Sequence, residues 1–269
     1  MRRLSALTLP LLLVVLVVAC GRNTQHEELA YQWRGNVANG QWLHLRDLNG
    51  SVHVEAATDG MVDVRAIQSW RGRRRPEINF RTDNSASGMY VCAMWGSAGK
   101  CGADGYSTRQ SIWERIFRRR NNRNASVEFV VHVPPGVRVD ASTVNGDVSV
   151  SGVSGEIKAT TVNGDVTTST HSGAVTATTV TGDVIARMDA LEQSSPLRLT
   201  TVTGDVTAVL PATLGADVDM ASVTGDLSTD FPLTMNDKSS HHLHGTIGNG
   251  GTKILLKTVT GEVRLRRGA

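Results

Sequence analysis

Apolar and polar positions alternate through the C-terminal half of the chain, and the alternation restarts on a recurring signal. The signal reads Thr/Ser-Val-Asn/Thr-Gly-Asp/Glu-Val/Leu. It occurs at Thr143–Val148, Thr161–Val166, Thr179–Val184, Thr201–Val206, Ser222–Leu227 and Thr258–Val263. Relative to the glycine of each copy, small or apolar residues stand seven, five, three and two places before, and two and four places after. In one copy these are Ile157, Ala159, Thr161, Val162, Val166 and Thr168; in the last they are Ile254, Leu256, Thr258, Val259, Val263 and Leu265. A period of two predicts strands with one face inward. Between Thr161 and Val162 the phase slips by one residue, which would turn the core side of a flat strand to water. A bend or bulge is therefore expected there in every copy, with Val144, Val162, Val180 and Val202 stacked inward beside it.

The repeat glycines are Gly146, Gly164, Gly182, Gly204, Gly225 and Gly261, and the first two steps between them are 18 residues. A regular step of this size predicts a solenoid, with loops where the step lengthens. The same template fits a degenerate copy at Gly50, with Leu43, Leu45, Leu48, Val52 and Val54 in place and only Asp47 departing. Glycine accepts positive φ freely and Asn tolerates it, so the Asn-Gly and Thr-Gly pairs read as turns. Short strands joined in this way are expected to stack in parallel as an all-β solenoid, or β-helix. A β-sandwich or up-and-down meander is the alternative, because Gly-rich turns at this spacing also suit hairpins.

The chain before the repeats divides by pattern. Residues 1–19 read as a targeting segment: Arg2 and Arg3 precede an apolar run that is too short for an ordinary membrane span. Residues 20–30 read as a short tether and 31–56 as the first rung. Residues 57–136 read as an inserted β-meander that leaves the solenoid and caps it, with strands at Val62–Ala66, Ile78–Phe80, Met89–Met94 and Val127–Val133. Residues 137–269 carry the repeats. At the far end, Arg264, Arg266 and Arg267 are expected to discourage further strand pairing.

Val17-Val18-Ala19-Cys20 resembles the bacterial lipoprotein lipobox. The resemblance implies that Cys20 becomes the mature N-terminus and carries a diacylglyceryl thioether. At ~0.8 kcal/mol per buried CH₂, two or three acyl chains hardly dissociate from a membrane. Gly21 stands where lipoproteins retained at the Gram-negative inner membrane commonly carry Asp. An exported protein, anchored at the outer membrane or facing the periplasm, is expected. Cys92 and Cys101 bracket a short Gly-containing segment, and in an oxidising compartment such a pair is expected to form a disulfide. The loop closure contributes roughly 2–3 kcal/mol in the chain-entropy model. A metal or redox pair is the alternative, although the CxxC spacing is missing.

Aromatic residues make up only 4% of the chain, which argues against a helical bundle or an α/β enzyme. The formal net charge is +3, but the basic residues concentrate before the repeats and the acidic ones within them. The chain as a whole is therefore not a nucleic-acid binder.

The Thr-Val-Asn-Gly-Asp-Val repeats resemble the bacterial "putative adhesin" family of β-strand-repeat proteins, a domain of unknown function. The likeness extends over Trp33-Arg34-Gly35, Val133-Pro134-Pro135-Gly136-Val137, Phe231-Pro232-Leu233 and Gly245-Thr246-Ile247-Gly248. The last four copies depart from it by carrying Thr before the glycine. The resemblance implies a fold; for function it implies only the label.

Three groups of residues are candidates for chemistry. Asp147, Asp165, Asp183, Asp205, Asp226 and Glu262 would form a carboxylate ladder at roughly 4.8 Å spacing in a parallel stack. Such a ladder could hold calcium weakly, or each carboxylate could accept bonds from its own turn amides; the latter is preferred because the calcium-solenoid repeat is absent. The arginines Arg71, Arg73, Arg74 and Arg75, and Arg115, Arg118, Arg119, Arg120 and Arg123 with Trp113, Ile116 and Phe117 interleaved, could meet polyanions or anionic lipid. Solvated loops are the simpler reading. His241, His242 and His244 match no standard zinc spacing. No nucleophile elbow, P-loop or dinucleotide fingerprint occurs. The expected function is that of a non-catalytic envelope lipoprotein, an adhesin or scaffold without a cofactor. The alternatives are a polysaccharide-acting enzyme on a β-helix, a calcium-dependent adhesin, or an envelope-stress sensor.

Overall fold

The computed structural model describes residues 25–95, 100–102, 105–107, 124–191, 195–239 and 241–268, and the regular elements among them are all β-strands. Two long sheets, of ten and eleven strands, turn their apolar faces to one shared core. Each repeat is one coil: a strand in the larger sheet, a corner at the Gly-Asp pair, and a strand in the smaller sheet. In one copy these strands are Ile157–Thr160 and Val166–Thr170.

Coils pair in parallel and in register, so like residues lie over like. Val52, Val148, Val166, Val184, Val206, Val263 and Leu227 form one column, and Leu43, Val139, Ile157, Val175, Leu197, Ile254 and Val218 form another. All but Leu227 are buried. One coil alone could not bury this face; its neighbours supply the missing walls. At about 1.5–3 kcal/mol for each fully buried aliphatic side chain, these columns replace the aromatic core that the composition lacks.

The bend falls where the phase slip predicts it, but the valines beside it do not reach the core. Val162, Val180 and Val202 are 38–43% exposed, while Thr161, Thr179 and Thr201 before them are buried. The alternation simply runs on through the Thr, the corner consumes the next four residues, and the core resumes at the Val two places after the glycine. The valines do stack, because their neighbours bridge in parallel (Asn145 to Asn163 to Thr181 to Thr203), but they form a ridge on the outside.

The coils also do not stack in sequence order. The last copy, Thr252–Thr260 with Val263–Arg267, lies between the coil of Leu197–Thr200 and the coil of Ala216–Thr224. The long final step of the repeat accommodates the return path through Thr234–Lys238 and His242–Ile247, both antiparallel. The arginines near the C-terminus therefore guard no edge. Val263–Arg267 is paired on both sides, and Arg264 and Arg266 meet Asp205 and Asp230 across 2.7 and 2.9 Å. The edge there is the short strand Leu227–Thr229.

The front end repeats this arrangement. The insertion is more than a meander laid over the first coil. Gly88–Met94 and Ala125–Val133 pair in parallel with Trp42–Arg46 and Val52–Ala56, and so add a coil that lacks the repeat sequence. Val62–Arg71 and Asn79–Ser85 close this coil with antiparallel pairing. Residues 25–30, read from sequence as tether, are the first half of the strand Gln25–Gly35, which pairs with Val62–Arg71; Tyr31 and Trp33 pack this strand onto the core. The first rung is correspondingly shorter than expected, since its two strands begin only at Trp42. Cys92 is bonded to Cys101, with Cα atoms 6.0 Å apart, and ties the small hairpin of Lys100–Gly102 and Gly105–Ser107 to this coil.

Candidate binding face along the corner

Three polar columns run along the corner, and each follows from one position of the repeat. The buried Thr is the first. Burying a hydroxyl without a partner costs about 1–3 kcal/mol, and each one finds the carbonyl of the neighbouring coil's glycine. Thr161 Oγ1 donates to Gly146 O at 2.8 Å, Thr179 to Gly164 O at 2.9 Å, and Thr201 to Gly182 O at 2.9 Å. Ser222 and Thr258 do the same toward Gly261 and Gly204. This contact brings the backbones so close that only glycine fits. At Gly182, where φ is +140°, an added Cβ would lie 2.1 Å from Gly164 O.

The acidic column is built by the same logic. From Asp165 onward, the corner amide points at the carboxylate of a neighbouring coil, while the Asp147 amide meets the Ser51 hydroxyl. Asp165 N donates to Asp147 Oδ1 at 2.9 Å, Asp183 N to Asp165 Oδ1 at 2.8 Å, Asp205 N to Asp183 Oδ1 at 2.8 Å, and Glu262 N to Asp205 Oδ1 at 2.8 Å. The carboxylates thus bond the next coil's amide rather than their own turn, and like charges are spaced by hydrogen bonds. At Asp205 the Glu262 amide, with the Arg264 guanidinium, holds the carboxyl below its usual range against slight burial. Among the described residues no group of three or more His, Cys, Asp or Glu stands where it could hold a metal ion. The third column is amide and hydroxyl: Asn163 Nδ2 donates to Asn145 Oδ1 at 3.0 Å, and Thr181, Thr203 and Thr260 continue it.

The other candidates lie apart from the corner. His242 and His244 stand on one strand, with His242 3.4 Å from Asp219. Arg71, the last residue of Val62–Arg71, and Arg73 and Arg74 just beyond it are exposed, while Arg75 pairs with Glu28 at 3.2 Å and sits over the Trp70 ring. Cys20 and the cluster Arg115, Arg118, Arg119, Arg120 and Arg123 lie outside the described residues.

Two polar groups were not singled out from sequence. On the outer face of the larger sheet, His44 Nδ1 and Asp140 Oδ2 are 2.8 Å apart, Arg46 bonds Asp140 at 3.0 Å, and the His44 ring stacks on Tyr90 at 4.1 Å. Burial pushes the Asp140 carboxyl up, but the bonds from His44 and Arg46 outweigh it and hold the group below its usual range. His44 and Asp140 occupy the same offset from Gly50 and Gly146, which is the signal that could have found them. The second group is Asp47, which takes the place of the buried Thr in the first coil and accepts the Trp95 indole N–H at 2.9 Å. Burial raises its pKa to about 7, offset only in part by Trp95 and the amides of Leu48 and Asn49. It is the one departure from the repeat template in that copy.

A family model described as Toastrack DUF4097 matches residues 117–266. No curated protein matches the chain. Among solved structures, a putative cell adhesion protein from Clostridium sporogenes is similar over 91% of this chain and 100% of its own, at 10% identity and a TM-score of 0.49. A putative adhesin from Bacteroides fragilis is similar over 91% and 98%, at 9% identity and a TM-score of 0.40.

Proposed function

Given that the chain belongs to the Toastrack DUF4097 family, we propose that it is a non-catalytic protein of the bacterial cell envelope, held to a membrane through Cys20 and presenting a rigid polar face to a surface partner. One observation supports this most. The repeated polar side chains of the corner are spent on the rod itself: Asp147, Asp165, Asp183 and Asp205 each hold the amide of the next coil. A reaction centre needs a carboxylate, base or nucleophile free to change its partners. Here the groups repeat at about 4.8 Å per coil and serve pairing. Such a face is pre-organised, so a partner that binds it pays little ordering entropy. Anchored copies on one surface would raise the effective concentration of the face and give adhesion through avidity.

Two experiments test the two halves of this reading. Radiolabelled palmitate should enter the full chain and fail to enter Cys20→Ala; an unlabelled parent protein removes the anchor. A pull-down from native envelopes with the chain lacking residues 1–20 should retain a defined surface component. Retention of none, under conditions where the protein stays folded, removes the binding role.

A further inference from the structure

Where the inserted coil meets the first repeat, the outer face of the smaller sheet is hollowed. Ala125–Val133 stacks on Val52–Ala56, and an open trough of about 340 Å³ forms over the junction, lined by Asn49, Ser51, His53, Ser126, Glu128 and Asn145. A second trough of about 290 Å³ shares Asn49 and Ser126 with it and adds Gln25, Ser69, Trp70 and Arg71. The two adjoin at these residues and together make a shallow channel from the corner at Asn145 to the start of the strand Gln25–Gly35.

The lining chemistry narrows the ligand. Nearly every group is an amide, a hydroxyl or one member of an ion pair. Glu128 and Arg71 carry opposite charges, and the His53 ring stands 3.6 Å from Glu128. A polyanion would find little net attraction here, and an apolar ligand would strand these groups without partners. Asn49 is fixed by a bond from its Nδ2 to Ala125 O at 2.5 Å, which leaves its Oδ1 as an acceptor of set direction. The side chains of Gln25, Ser69, Ser126 and Arg71 make no hydrogen bond or ion pair with other described residues, so donors and acceptors stand ready along the whole length. Trp70, stacked on His26 at 5.1 Å and packed partly against the core, borders this lining.

We propose that this channel binds a strand of uncharged, hydroxyl-rich polysaccharide. Sugar hydroxyls both donate and accept, as this lining requires, and a polymer suits an open channel better than a small ligand does. The proposal deepens the surface-binding reading above and rests on it for biological setting. Gln25, in the wall of the channel, is five residues after Cys20. Fully extended, that length spans at most about 18 Å. An acylated Cys20 thus keeps the channel close to its own membrane, and the polymer belongs to the envelope that carries the protein.

The test is native affinity electrophoresis of the chain from Gly21 onward, in gels containing dextran, galactomannan, mixed-linkage β-glucan or the neutral polysaccharide fraction of the native envelope. Heparin and alginate gels serve as anionic probes. At least one neutral polymer should retard the protein. Retardation should weaken at least tenfold in Ser126→Trp, which fills the channel, and in the double variant Gln25→Ala/Arg71→Ala, whose side chains carry no structural bonds. Thr176→Trp, on the outer face of the other sheet, should migrate as the parent does. No retardation by any neutral polymer, or equal retardation of the channel variants, overturns the proposal. Retardation by the anionic gels alone also overturns it and assigns the surface to polyanions. The palmitate result is independent of these gels. An envelope pull-down that succeeds while every polysaccharide gel is negative leaves the binding role standing and removes the channel from it.

Discussion

Replacing Asp47 by Asn should stabilise the protein, and by more at pH 8 than at pH 5. Asp47 is 5% exposed and stands where every other copy of the repeat buries a Thr or Ser. Its Oδ1 accepts from Trp95, and its Oδ2 has no hydrogen-bond partner. Burial raises the folded-state pKa to about 7, against about 3.9 in an unfolded chain. The folded protein therefore binds the proton more tightly than the unfolded one, and stability falls as pH rises between those two values. Below about pH 4 the group costs nothing; above about pH 7 its penalty is complete, near 4 kcal/mol at about 1.36 kcal/mol per unit. Between pH 5 and 8 the expected change is about 2–3 kcal/mol. In a domain of this size that corresponds to roughly 5–10 °C in Tm. The amide of Asn keeps the acceptor for Trp95 and never ionises. Thermal melts of parent and Asp47→Asn at pH 5 and pH 8 read the effect directly, because other carboxylates cancel in the difference between the two proteins. A Tm difference that is the same at both pH values would refute the argument.

Three further outcomes follow from the corner. Gly182→Ala, with φ at +140° and its new Cβ 2.1 Å from Gly164 O, should cost more than about 3 kcal/mol in urea unfolding, whereas Gly40→Ala, with nothing within 4 Å, should cost about 1–2. Thr179→Val keeps the shape but strands Gly164 O, and should cost about 1–3 kcal/mol, with Thr179→Ser recovering much of it. Val202→Thr, on the exposed ridge, should change stability by less than about 0.5 kcal/mol, while Val206→Ala, in the core, should cost about 2; equal effects would return the ridge valines to the interior.

Much of this architecture was legible from residue spacing. The turn glycines, the parallel solenoid and the degenerate copy at Gly50 all follow from alternation and step length, because in-register stacking forces equivalent positions to share one environment. What spacing could not reveal was which of two adjacent small residues, Thr161 or Val162, faces inward. Hydrophobicity favours the Val. The buried Thr wins because its hydroxyl satisfies a glycine carbonyl that a Val would leave unpaired. The Asp column was visible as a repeat, but its role was not, since the bond runs to an amide 18 residues away and not within the turn. The channel was invisible because it joins residues from four separate strands whose proximity depends on where the insertion re-enters the sheet. Nothing in the local pattern records that the last copy fits between two earlier ones; each copy carries the same pairing code, so the code alone cannot rank them.

That placement governs how the molecule can be assembled. A protein of tandem modules can ordinarily be shortened from its tail, one module at a time, with the remainder intact. Here, removing residues 252–268 would open a gap inside the stack, leaving Leu197–Thr200 and Ala216–Thr224 facing each other across an unfilled slot. During synthesis, residues 252–268 have to arrive before Ala216–Thr224 can settle into the stack, and a product cut short before residue 252 leaves that slot open.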